Sequence, residues 1–286
     1  MNTHFYDNAW HAGTGAELSA TSSTNNQEIW RGNAAAQEQV NAAIESARAG
    51  FNTWSRLPYA EREATVKRYQ EVLKRRQDEI AATIALDVGK PLWEAKTEAG
   101  AMVGKIDLSI SSYQQRTGTN VQEGAAFTTA LTHRPHGVMV VLGPYNFPGH
   151  LPNGHIVPAL LAGNTIVHKP SEYTPLVGQL LIECLAEAGF PKGVINLTQG
   201  DGQTGMMLTK HDDVDGVLFT GSTRTGIALH KQFAGQPGKM LALEMGGNNP
   251  LIVYQNQDHK AAVYHTIQSA FITSGQRCTC SRRLIV

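Results

Sequence analysis

The chain has 286 residues, 41% hydrophobic and 17% charged, so it can bury a sizeable core and is not a disordered segment. Lys plus Arg and Asp plus Glu both number 24, a balance that excludes the broad cationic face of a nucleic-acid binder. No apolar run reaches membrane-spanning length, no signal peptide is visible, and three cysteines are too few for a disulfide framework. The expectation is a protein of the reduced cytoplasm with neither nucleic acid nor membrane as partner.

In chain order, residues 2–33 mix aromatics with Gly, Ser, Thr and Asn and predict short strands and turns. Val40, Ala43, Ile44, Ala47 and Phe51 recur at helical period and predict a helix over 34–54. Pro58 opens a second, longer helix that Gly89-Lys-Pro91 ends, and a third spans 92–115. Residues 124–136 predict an extended excursion or hairpin. Strands and helices then alternate. Strands are expected at 137–142, 165–168, 194–198, 216–220 and 240–244. Helices are expected at 152–162, 174–188, 204–210 and 225–233. Strand, helix, strand with short connections predicts a parallel sheet with helices on both faces. A turn-rich stretch, Gly246–Pro250, is a candidate domain boundary. A strand at 251–254 and a helix at 258–273 follow it, and the chain stops at Val286 within a predicted strand.

Two glycine-rich turns compete as phosphate sites. Gly200-Asp-Gly202-Gln-Thr-Gly205 fits G-x-G-x-x-G between a strand and a helix. The acid that should follow about twenty residues later, for the ribose hydroxyls, is absent, since no Asp or Glu lies between Gly216 and Leu243. It is therefore either a pyrophosphate loop or a plain strand-to-helix turn. The second candidate is Gly221-Ser222-Thr223-Arg224-Thr225-Gly226. Gly221 permits a sharp turn, and Ser222 and Thr225 can cap the next helix, whose free N–H groups face an anion. Lys169 and Glu172 fall at the carboxyl end of a predicted strand, where open parallel sheets bind ligands. They are either ribose ligands or a solvated loop pair.

Three residue types suit carbonyl chemistry. Cys278 lies just past a predicted helix, and Arg277, Arg282 and Arg283 favour its thiolate. Cys184 reads as packing inside a helix, and Cys280 as packing or a second thiol. Glu244 ends an apolar strand, where burial would raise its pKa and make it a base. Asn146, between Pro144 and Pro148, can donate to a developing oxyanion or simply serve the turn. The histidines show no zinc-ligand spacing and no Cys-x-x-Cys occurs, so no metal is predicted.

In this order, Pro144-Tyr-Asn-Phe-Pro148, Lys169-Pro-Ser-Glu172, Phe219-Thr-Gly-Ser222 with Gly226, Leu243-Glu-Met-Gly-Gly247 and Gly275-Gln-Arg-Cys278 resemble the aldehyde dehydrogenase superfamily. The resemblance implies an α/β fold with a Rossmann-type parallel sheet and a helical N-terminal flank. Residues 1–246 would form an NAD-binding domain with an oligomerisation hairpin at about 120–136, and 247–286 would begin a catalytic domain. It implies that Cys278 attacks the aldehyde, that Asn146 with the Cys278 N–H holds the oxyanion, and that Glu244 activates water. Lys169 and Glu172 would take the ribose of NAD, and Gly221–Gly226 its pyrophosphate. Gly275–Arg283, Leu57-Pro-Tyr with Glu61-Arg62, and Leu151–His155 are most similar to the branch acting on a succinylated glutamate semialdehyde in arginine breakdown. Arg282, Arg283, His150 and His155 are available for its carboxylates. Members of this superfamily continue well past residue 286, so the expectation is a truncated chain, inactive alone, from an enzyme that is a homo-oligomer at full length. A CoA-acylating relative and a non-catalytic dinucleotide-binding fragment are the alternatives.

Overall fold

The computed structural model describes residues 1–255 and 257–286. Two hairpins open the chain: β1 (Asn2–Tyr6) with β2 (Ala9–Ala12), and β3 (Glu17–Thr21) with β4 (Glu28–Asn33). Helices α1 (Gln37–Trp54), α2 (Tyr59–Arg75), α3 (Gln77–Val88) and α4 (Leu92–Arg116) follow, then an exposed hairpin of β5 (Asn120–Glu123) and β6 (Thr128–Leu131). The alternating part runs β7 (Val138–Leu142), α5 (His150–Leu161), β8 (Thr165–Lys169), α6 (Pro175–Glu187), β9 (Ile195–Leu197), α7 (Gly202–Lys210), β10 (Gly216–Gly221), α8 (Thr223–Phe233) and β11 (Met240–Met245). Last come β12 (Asn249–Ile252), α9 (His259–Phe271), a 3₁₀ turn at Ile272–Gly275 and β13 (Ser281–Ile285).

The single helix expected between Pro58 and Gly89 is two helices. At Arg76 the backbone leaves helical geometry (φ −95, ψ 12). Charge explains the break. Lys74 and Arg75 close α2 and Asp78 and Glu79 open α3, so each helix has the sign its dipole favours at that end. Arg76 then donates to both oxygens of Glu79 at 2.7 and 2.9 Å.

The main sheet has the order β11-β10-β7-β8-β9-β1-β2, parallel from β11 to β9 and antiparallel at β1 and β2. β12 and β13 pair separately and in parallel. β7 is central and every residue of it is buried. Its side chains alternate as a pleated strand must. Met139 and Val141 enter the core under α2–α6, whereas Val138, Val140 and Leu142 enter the core under α1, α7 and α8. The sheet is therefore the middle of three layers, and its edge of strand carboxyl ends stays open between them.

Three histidines, His4 and His168 buried and His155 part-buried, should make this fold acid-sensitive. Burial pulls His4, His155 and His168 down to about 4 from an ordinary 6.5. His168 Nδ1 donates to the Val141 carbonyl at 3.0 Å, inside the sheet. Each ring stays neutral when folded but takes a proton below pH 6.5 when unfolded, so stability falls as pH drops from there toward 4. The loss is on the order of 3 kcal/mol per group by pH 4. Urea midpoints measured between pH 7 and 4.5 should fall steadily, and His168→Gln should flatten the slope. An unchanged slope would remove His168 from the account.

Candidate active site

The register brings the strand ends into one row. Leu142 pairs with Lys169 and Phe219, Phe219 pairs with Leu243, and Thr220 pairs with Glu244. The loops leaving that row wall a cleft of about 1220 Å³. Asn146, Lys169, Glu172, Glu244 and Cys278 all line it, as do Gly221, Ser222, Arg224 and Thr225. Thr223 and Gly226 do not.

Cys278 is exposed to the cleft, on a loop held by several side-chain bonds, among them Asn249 Nδ2 donating to the Cys278 carbonyl at 3.0 Å. Thr273, Ser274 and Gly275 take left-handed φ values of 56, 53 and 72°, which the first two residues adopt only under strain. The strain is held from outside the loop and from within it. Thr273 is fully buried, its N–H donates to the Glu94 carboxylate at 2.9 Å, and its hydroxyl accepts from Arg277 Nε at 2.8 Å. Asn146 Nδ2 donates to the Gln276 carbonyl at 2.7 Å. One amide hydrogen of Asn146 is thus committed to the cysteine loop, and the other is available to the cleft. Cys280 is buried, with its sulfur 4.0 Å from the Ile272 carbonyl, and Cys184 is buried inside α6.

The Asn146 loop has its own support. Lys90 and Glu98 form an ion pair whose side chains are completely buried. Lys90 Nζ also donates to the Asn146 carbonyl at 3.0 Å and lies 4.0 Å from the centre of the Phe147 ring. Glu98 accepts from the N–H groups of Gly149 and His150, both at 3.0 Å, where α5 begins. Burial pulls the Lys90 pKa below the ordinary lysine value, and Glu98 opposes it. Lys90, Glu94 and Glu98 were not anticipated as site residues. Glu94 and Glu98 stand one turn apart beside Ala95, Ala99 and Met102, and carboxylates on an apolar helical face were the available signal.

At the far end, Lys169 is 7% exposed rather than solvated. Its ammonium donates to the Pro170 and Gly200 carbonyls, both at 2.6 Å, and lies 3.8 Å from the half-buried Glu172 carboxylate. Burial lowers its pKa to about 8, with Glu172 and Asp201 opposing. The two glycine-rich turns differ in their caps. Asp201 caps α7 through its carboxylate, accepting from Gln203 N at 2.8 Å, so that helix end already carries an anion. Ser222 caps α8 with a neutral hydroxyl, accepting from Thr225 N at 3.1 Å. Thr225 caps nothing itself; its hydroxyl pairs with that of Ser222.

Gly221 does not have the positive φ expected of a sharp turn. What it supplies is space, because a Cβ there would come within 2.6 Å of the Phe219 ring. Gly226 likewise would push its Cβ to 2.3 Å from the Met245 sulfur. Both let Phe219 and Met245 pack directly against the loop backbone.

Glu244 departs from expectation. It is exposed, because β11 is the edge strand of the sheet and only its inner residues are covered. The continuous apolar run of Met240–Leu243 before Glu244 had suggested a buried strand end. Of the nearby arginines, Arg277 stacks over Phe147 and Arg282 lines the cleft, but Arg283 turns away to the Asn248 carbonyl. His150 and His155 both line the cleft, and His155 pairs with the Thr220 hydroxyl at 2.9 Å.

Comparison with known proteins agrees with this geometry. The pattern of the aldehyde dehydrogenase family matches residues 10–286. The N-succinylglutamate 5-semialdehyde dehydrogenase of Vibrio cholerae is 55% identical over 285 residues, covering 99% of this chain and 59% of the relative. Among solved structures, the indole-3-acetaldehyde dehydrogenase of P. syringae, in complex with NAD+, matches with a TM-score of 0.92 at 30% identity. The NADP-dependent glyceraldehyde-3-phosphate dehydrogenase of Bacillus halodurans, complexed with NADP, matches equally at 0.92 and 30%. These alignments cover 99% of this chain and 59% and 60% of the two structures, so the chain spans about three-fifths of the length of its relatives. A cleft at the strand ends with a presented thiol, and a family match over nearly every residue, lead to one conclusion: the chain belongs to the aldehyde dehydrogenase family.

Proposed function

We propose that this chain supplies the cofactor cleft and the nucleophile of an NAD-dependent dehydrogenase that oxidises N-succinylglutamate 5-semialdehyde, in arginine breakdown, to the corresponding acid. The observation that carries the reading is the meeting of Cys278, Asn146 and Glu244 with an uncharged helix N-terminus in one cleft. The bound dinucleotide supplies a hydride acceptor. Ser222–Thr225 at the α8 N-terminus would hold its pyrophosphate, and the Lys169–Glu172 pair its ribose. The neutral Ser222 cap leaves the α8 end open to such an anion, whereas the capping carboxylate of Asp201 disfavours it at α7.

The thiolate of Cys278 attacks the aldehyde carbon and forms a thiohemiacetal. The second amide hydrogen of Asn146 and the Cys278 N–H stabilise the oxygen that becomes negative. Loss of hydride leaves a thioester on the sulfur. Glu244, in contact with solvent, takes a proton from the water that hydrolyses it, and the free thiol returns. A thiol that must be free suits a reduced cytoplasm. Residues 1–246 would form the cofactor domain and 247–286 the beginning of the catalytic one, with the hairpin near 120–136 serving a homo-oligomer.

Two substitutions test the reading in the complete enzyme. Glu244→Gln should preserve a first burst of NADH, one per site, and slow steady turnover by about 10²- to 10⁴-fold. Loss of the burst as well would show that Glu244 acts before hydride transfer. Glu172→Gln removes the charge that repels a 2′-phosphate. The ratio of kcat/KM for NAD to that for NADP should fall by roughly tenfold or more. An unaltered ratio would withdraw Glu172 from the ribose site and leave the preference for NAD unsupported.

A further inference from the structure

The two ends of the cleft differ in chemistry. Where it runs under α7 and α8, in the core layer of α1, its wall includes Met206, Ala228 and Leu229. On the opposite side of the sheet edge, under α4 and α5, its wall includes Lys105, His150, Gly154 and His155. Among the described residues, the carboxylates lining the cleft are Glu172 and Glu244, which belong to the β8 and β11 ends.

Lys105 sits against α5 in an unusual way. A Cβ built on Gly154 would lie 3.5 Å from Lys105 Cε and 3.7 Å from Nζ. The stem of the lysine therefore crosses the helix where it carries no side chain, and its ammonium is brought to the cleft wall. Among the described residues no carboxylate lies within 4 Å of that ammonium. The nearest acidic residue in sequence, Asp107, instead accepts from Gln70 at 2.8 Å. His150 beside it has a buried Nδ1 with no partner. Burial first, and the charge of Lys105 after it, lower the pKa of both His150 and His155 and favour their neutral forms. An ammonium without a carboxylate partner, sharing a wall with two neutral imidazoles of which one has a ring nitrogen free, is a receptor for an anion.

We propose that Lys105 is a specificity-determining residue, binding a carboxylate at the end of the substrate remote from its aldehyde, with His150 as a neutral second contact. The proposal rests on the reading that this cleft oxidises an aldehyde, and it adds which wall takes the charged end. Gly154 is part of the device: the lysine stem packs at contact distance over its bare backbone, where a side chain longer than a methyl would compete for the same place.

The test compares two aldehydes in the complete enzyme: succinylglutamate semialdehyde, and butanal, which has no carboxylate. Lys105→Met should raise KM for the charged aldehyde by roughly 10- to 100-fold, the worth of one charge-assisted bond, with little change in kcat. The kcat/KM for butanal should hold, and Lys105→Arg should recover most of the loss. Alkylation of Cys278 by iodoacetamide gives a readout independent of turnover. Succinylglutamate should protect the thiol in the parent enzyme and not in Lys105→Met. Equal losses for both aldehydes would make Lys105 a structural residue, and no loss for either would place the carboxylate elsewhere. If the parent enzyme oxidises neither aldehyde, the proposed function fails, while the protection assay still decides whether Lys105 holds the anion.

Discussion

Cys278→Ala should abolish aldehyde-dependent NADH formation in the complete enzyme, by on the order of 10⁴-fold or more, while NADH still binds. Without the sulfur no thiohemiacetal forms, and water cannot replace it, because the covalent adduct is what presents the hydride-bearing carbon. The loop should survive, since its bonds run through Thr273, Gln276 and Arg277 and not through the thiol. Quenching of protein fluorescence by NADH tests the cofactor cleft, and stopped-flow absorbance at the nicotinamide band tests the chemistry. Cys280→Ala is the matched control. That sulfur is buried and only packs, so the change should cost about 1 kcal/mol of stability and leave turnover in place. Turnover that persists in Cys278→Ala would remove this thiol from the mechanism altogether.

Lys90→Met should be the most destabilising single change in the site. It leaves the Glu98 carboxylate buried without its counter-charge, at a cost of about 3–5 kcal/mol. It also frees the Asn146 carbonyl and uncovers the Phe147 ring. Adding Glu98→Gln removes the stranded charge. The glutamine oxygen can still accept from Gly149 and His150, so most of the stability should return. Activity should not return, because the Asn146 backbone is still untethered. Urea unfolding and kcat measured on the parent, Lys90→Met and the double variant separate the two effects. A double variant that regains both would mean that Lys90 acts on the fold alone.

Local pattern made the alternating half of the molecule readable. β7 and β10 are short apolar runs between turn residues, and strands and helices alternate with short connections, so the parallel sheet followed from sequence. The same reading missed the break at Arg76. The apolar period runs on through Val72, Leu73 and Ile80, and only the switch from Lys74-Arg75 to Asp78-Glu79 marks the joint. Glu244 was misread because an apolar run says that a strand is partly covered, not whether it has a neighbour on both edges. The chemical residues could be nominated one by one, since thiol, amide and carboxylate each have few uses at a strand end. Their supports could not. Lys90 reads as part of a Gly-Lys-Pro helix stop, and nothing local says that its ammonium meets a loop 56 residues away. Lys105 and Gly154 belong to different helices, and only the packing of α4 on α5 joins them.

Glu94 and Glu98 are one turn apart on α4, and each grips the backbone of a different loop. A helix is far stiffer than the segments it holds, so the thiol and the amide share a single frame of reference. Tilting α4 as a body would carry both loops together and preserve the gap between them. Bending it between those two residues would change that gap. Sequence drift that repacks the outer face of α4 should therefore be tolerated, whereas a proline or a glycine pair in the turn from Glu94 to Glu98 should separate the reacting groups without touching either.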